Sequence, residues 1–125
     1  MHRKLRLLAC TIMAVILSSC YWPLTGPCDD KVKSEAVSPG GRYAATVIER
    51  DCGATTDYST LVNLRVASEP LAASPESLIL TLSGKQSVAL AWESEAELTI
   101  QFPRVRTYTQ KPSWKNVQVV YRHPD

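Results

Sequence analysis

The chain has 125 residues, 45% of them hydrophobic and 21% charged, a composition that excludes disorder and fits one globular domain. Its formal net charge of +2 carries no message about nucleic acid, and none is expected as a partner. Arg3, Lys4 and Arg6 crowd the extreme N-terminus, and beyond them eleven basic residues stand against twelve acidic ones.

The first segment has the anatomy of an export signal. His2 to Arg6 is a positive stretch and Leu7 to Leu17 an apolar run. Eleven residues at about 1.5 Å each fall short of a hydrocarbon core roughly 30 Å thick, so a permanent membrane span is disfavoured. The run ends Leu17-Ser18-Ser19-Cys20. This resembles the bacterial lipobox, in which small residues admit the backbone to the signal peptidase and the cysteine thiol takes the diacylglycerol. The resemblance implies a signal peptide over 1–19, a lipidated Cys20, and a protein held on a membrane without spanning it. Tyr21 follows where aspartate would resemble an inner-membrane retention signal. Outer membrane, facing the periplasm, therefore ranks before inner membrane for an organism with both.

Residues 20–37, with Pro23, Gly26 and Pro27, read as a tether that becomes ordered near Cys28. With Cys10 removed and Cys20 acylated, Cys28 and Cys52 remain as an even pair bound for an oxidising compartment. A disulfide between them is expected, with two free thiols as the alternative. A metal site there is disfavoured, since no histidine beyond the signal lies near either cysteine.

The domain proper is read over 38–125. Ser38-Pro39-Gly40-Gly41 suggests a type II turn, proline presetting φ and glycine accepting a positive one. Arg42 to Arg50 is apolar on both faces, as in a strand flanked by others. Val62, Leu64 and Val66 alternate with Asn63 and Arg65, and the same period of two carries Leu78, Leu80 and Leu82, then Val88, Leu90 and Trp92. It continues in Leu98, Ile100 and Phe102, and in Val117, Val119 and Tyr121. Ser83 to Gln86 and Glu93 to Ala96 read as short hairpin links, and Lys111 to Trp114 as a longer one. The expected class is all-β: a single antiparallel meander of about six strands, as a twisted sheet or a small sandwich or barrel.

Ser38-Pro39-x-Gly41-Arg42-Tyr43-x-Ala45, running into Glu49-Arg50-Asp51-Cys52-Gly53-Ala54-Thr55-Thr56, resembles a family of small exported bacterial proteins of unknown function. Trp92, Leu98-x-Ile100 and Val117-x-Val119-x-Tyr121 extend the resemblance. It implies fold and export, and no activity. The Ser-Pro-x-Gly-Arg-Tyr block is also similar to blades of exported β-propellers, although one blade of chain cannot close a propeller.

Catalytic chemistry has little to work with. His123 is the one histidine beyond the signal, three residues from the C-terminus and expected to lie in a frayed tail. No nucleophile elbow, phosphate loop, dinucleotide glycine pattern or zinc-protease motif occurs. Glu93, Glu95 and Glu97 straddle a turn and read as solvated charge. No catalytic residue, metal or cofactor is therefore assigned.

Two candidate sites remain. The first is the loop with Asp51, Gly53, Thr55, Thr56 and Asp57. It is either a ligand- or partner-binding loop, a cation between Asp51 and Asp57 being one form of it, or a turn whose side chains satisfy its own backbone. The structural reading is preferred. The second is a basic-aromatic surface of Arg104, Arg106, Trp114 and Lys115, which could meet anionic lipid or glycan. Its simpler reading is a charged edge kept soluble. The function expected is a membrane-anchored, non-catalytic binding or structural module for an envelope protein or glycan. An inhibitor of a host or competitor enzyme such as lysozyme is the alternative, and a hydrolase using paired carboxylates a distant one.

Overall fold

The computed structural model describes residues 28–54, 56–72 and 74–125. The signal segment, Cys20 and Thr55 lie outside the described residues. Nine strands run in chain order: β1 (Asp29–Val37), β2 (Tyr43–Asp51), β3 (Ser59–Val66), β4 (Leu78–Ser83), β5 (Ala89–Ser94), β6 (Glu97–Gln101), β7 (Thr107–Gln110), β8 (Ser113–Trp114) and β9 (Val117–Arg122). They form a five-stranded sheet in the order β1-β2-β3-β4-β7 and a four-stranded sheet in the order β5-β6-β9-β8. The all-β class holds, as two sheets packed on one another rather than a closed barrel.

The core shows why alternation read as strands. Ala45, Val47, Val62, Leu64, Leu80 and Leu82 of the first sheet meet Leu98, Ile100, Val117 and Val119 of the second. Phe102 completes the cluster. Each side chain of this size contributes about 1.5–3 kcal/mol when fully buried. β2 is buried on both faces from Tyr43 to Ile48, as its sequence requires of a strand paired on both sides.

Four expectations need correction. Residues 29–37, read as the end of a tether, are the edge strand β1, paired with β2 along nearly its full length. Its side chains are almost all exposed and its register shifts between Val32 and Ser34, so no apolar alternation marks it. Second, the links over 84–88 and 111–112 are not hairpins. They carry the chain from one sheet to the other, and 102–106 carries it back. Third, the topology is not a pure meander, because β6 and β9 pair in parallel. Fourth, the positive φ of the first turn belongs to Gly41 (76°) and not to Gly40, so the turn is not type II. A register shift in β4, where Val62 faces Leu80 and Asn63 faces Leu78, also brings Ile79 into the core beside Leu80.

The registers define two ends of the molecule. Asp29 lies opposite Asp51, Arg50 opposite Ser59, Ser59 opposite Ser83, and the Ser83 amide donates to Arg106 O. Cys28, the 84–88 link and the 102–106 connector therefore share one end. The turns after β1 and β5 share the other.

Candidate functional site

The expected disulfide is present: Cys28 is bonded to Cys52. It fixes the first described residue to the end of β2, one position beyond the Asp29–Asp51 pair.

The loop that follows is built from its own backbone needs. Asp51 Oδ1 accepts from the Gly53 amide at 3.0 Å, and the Thr56 amide and hydroxyl both donate to Gly53 O at 3.2 Å. Gly53 has φ 112°, a region that side-chain-bearing residues avoid. Asp57 is exposed. Among the described residues no group of three or more His, Cys, Asp or Glu is placed to hold a metal ion. The neighbouring residues of the motif are engaged too. Arg50 makes two hydrogen bonds to Asp30, at 2.7 and 2.9 Å, which hold the Asp30 carboxyl below its ordinary pKa. Glu49 stands 3.8 Å from both Lys33 and Lys85. Every described residue from Glu49 to Gly53 thus has a structural partner or a backbone role.

The basic-aromatic surface does not form as one patch. Trp114 is 9% exposed and belongs to the core, its ring edge-on to Tyr43 with centroids 5.7 Å apart. Lys115, at φ 49°, lies over that ring at 4.9 Å, at the end away from Cys28. Arg104 and Arg106 lie at the Cys28 end. The four residues of β7, about 13 Å at 3.3 Å per residue, and the crossing to β8 lie between the two pairs. Trp114 and Lys115 line a hollow of about 160 Å³ that also takes in Glu69 and Glu76, and the arginine pair is set apart from it. The arginines lie in an open cleft of about 440 Å³ lined by Arg104, Val105, Arg106, Thr107, Gln110 and His123.

His123 is not in a frayed tail. β9 stays paired with β6 through Arg122, and the Phe102 amide donates to Arg122 O at 3.0 Å. The imidazole packs edge-on to Phe102 at 4.7 Å, and its Nδ1 lies 2.9 Å from Phe102 O. A carbonyl oxygen only accepts, so Nδ1 is the donor of this bond.

Glu95 is likewise more than solvated charge. It accepts from the Ser38 hydroxyl at 2.9 Å and from the Gly40 amide, tying the β5–β6 turn to the β1–β2 turn. Nothing in the sequence marks it apart from Glu93 and Glu97, because its partners lie more than fifty residues away.

No family model, no curated protein and no solved structure matches this chain. The fold and its sites define a disulfide-stapled, two-sheet β domain.

Proposed function

We propose that the chain is a lipid-anchored protein of the bacterial envelope, acylated at Cys20, whose β domain is a non-catalytic binding or structural module. The observation that carries this reading is where the chain enters the domain. Cys28 is covalently fixed to the end of β2, eight residues after Cys20, so a lipid at Cys20 would hold a rigid body by one end. Eight extended residues reach about 26–29 Å, which keeps that end close to the bilayer surface.

The non-catalytic reading is supported by the occupation of the side chains that would do chemistry. Glu49 stands between two lysines, Arg50 is paired with Asp30, and Asp51 caps the Gly53 amide. An envelope protein or glycan is the expected partner, and the outer membrane the expected address.

Labelled fatty acid should enter the wild-type chain and not Cys20→Ala, which should accumulate as unprocessed precursor. Label in the Cys20→Ala protein would contradict the anchor. Capture on the lipidated protein in detergent separates the two roles. Envelope proteins or peptidoglycan would support the module, whereas a lysozyme retained at stoichiometric level would replace it with an inhibitor.

A further inference from the structure

We infer that the Cys28 end of the sandwich faces the bilayer and that Arg104 and Arg106 bind the phosphates of anionic lipid headgroups there. The inference rests on the anchoring at Cys20 proposed above and adds an orientation and a ligand to it.

The connector between β6 and β7 presents the two arginines together. Phe102 is buried at its start, and Arg106 O is fixed by the Ser83 amide at its end. Val105 packs against the core between them, and Arg104 and Arg106 on either side of it are both exposed. Neither is in an ion pair among the described residues, and no acidic residue lines their cleft. A guanidinium presents a planar fork of donors that fits phosphate oxygens two at a time, and a phosphate can accept from two such forks at once. Gln110 brings a neutral amide to the same cleft, while the Thr107 hydroxyl donates to Val105 O at 3.2 Å. The cleft is wide and open, suited to a headgroup at a surface rather than to an enclosed ion.

Position selects the lipid source of phosphate. Chain register puts the arginine cleft at the end where the chain arrives from Cys20, and a reach of about 26–29 Å cannot carry the opposite end to the surface without turning the domain over. Charge favours the same pose. At the opposite end four exposed glutamates (Glu69, Glu76, Glu93, Glu97) stand against two exposed bases (Arg42, Lys115). Of the acids at the Cys28 end, Asp29, Asp51 and Asp57 lie two to four strand spacings from Arg106, roughly 10–19 Å and beyond the Debye length of about 8 Å at physiological salt. Asp30 is paired with Arg50, and exposed Asp125 follows His123 of the cleft by two residues.

The lipidated full chain, with a fluorophore on Ser87→Cys, is reconstituted into vesicles of neutral phosphatidylcholine or of phosphatidylcholine with phosphatidylglycerol. Both vesicles carry a trace of headgroup quencher. Ser87 is exposed on the 84–88 link at the same end. Flotation with the vesicles reports the anchor, and quenching reports docking of the cleft. Stronger quenching on anionic vesicles is expected, lost in 1 M salt. Arg104→Ala with Arg106→Ala should lower the ratio of docked to undocked domains on the order of 30-fold, at about 1 kcal/mol for each basic residue near an anionic surface. Both side chains are exposed, so the melting temperature should stay within a degree or two and exclude misfolding as the cause. Equal quenching on the two vesicles, or no change in the double variant, overturns the inference even when flotation is intact. Phosphate binding to the arginines in detergent without any dependence of quenching on lipid charge also overturns it, in favour of a soluble phosphate ligand.

Discussion

The Ser38 hydroxyl donates to Glu95 Oε2 at 2.9 Å while accepting from the Tyr43 amide at 3.0 Å, and this one buried oxygen joins the two sheets at the end opposite Cys28. The Glu95 carboxylate has a second donor in the Gly40 amide, and a Cβ added to Gly40 would come within 2.9 Å of that carboxylate. Nearby, Trp92 Nε1 donates to Ala36 O at 2.9 Å, a further link between β5 of one sheet and β1 of the other. The Ser-Pro-Gly-Gly segment is therefore a docking element as well as a turn.

Removing that oxygen strands a buried amide. Ser38→Ala should destabilise the domain by about 1–3 kcal/mol in urea unfolding, because the Tyr43 amide loses its partner out of reach of water. Glu95→Gln should cost less, since an amide oxygen can still accept from Ser38. A double-mutant cycle between Ser38→Ala and Glu95→Ala should show coupling of at least about 0.5 kcal/mol. Additive losses would mean that the two turns do not support each other.

The disulfide closes a sequence separation of 24 residues that includes β1 and β2. In the loop-entropy model its reduction should cost about 3–4 kcal/mol. Reduced and oxidised forms compared in urea should differ by this amount at a similar slope. Indistinguishable midpoints would show that β1 is held by pairing alone.

Tyr121 reaches from β9 to the other sheet. Its hydroxyl donates to Lys111 O at 2.6 Å and lies 3.2 Å from Ile79 O, and burial pushes its pKa up to about 12. Because the folded value is raised above the ordinary one near 10, the unfolded chain loses this proton first. The contribution is whole below pH 10 and disappears as pH rises towards 12. Tyr121→Phe should cost about 1–2 kcal/mol at neutral pH and flatten the loss of stability between pH 10 and 12. An unchanged alkaline profile in that variant would assign the loss to other groups.

The loop after β2 separates structure from site. An added Cβ at Gly53 would meet no atom within 4 Å, so Gly53→Ala suffers from φ 112° alone and should lower stability by about 1–2 kcal/mol. Asp57→Asn, at an exposed position, should leave the melting temperature unchanged. If Asp57→Asn instead abolished partner capture at full stability, the loop would be a binding site.

What was legible in the sequence followed from one-sided burial. Val62, Leu64, Leu98, Ile100, Val117 and Val119 alternate because one face of each strand meets the core, and alternation survives without knowledge of the partner strand. β1 was hidden because its residues are exposed on both faces and its register slips at Lys33. Short links between sheets look like hairpin turns in sequence, since turn chemistry is the same whichever sheet receives the next strand. The parallel pairing of β6 with β9 is decided by packing and leaves no local trace. Arg104 and Lys115 seemed to belong together for the opposite reason. They are near in sequence, and β7 carries them to opposite ends of the molecule. Trp114 is ambiguous by nature: the same residue type serves stacking surfaces and cores, and here Tyr43 decides for the core.

The orientation of the anchored domain can be measured directly. The lipidated full chain carries a single fluorophore on Ser87→Cys in one preparation and on Asn116→Cys in another, since Cys28 and Cys52 are bonded to each other. Both positions are exposed, the first at the Cys28 end and the second in the turn between β8 and β9 at the opposite end. On vesicles containing a headgroup quencher, the Ser87 label should be quenched strongly and the Asn116 label weakly. Equal quenching of the two labels, or stronger quenching at Asn116, would contradict a domain held to the membrane by its disulfide-fixed end.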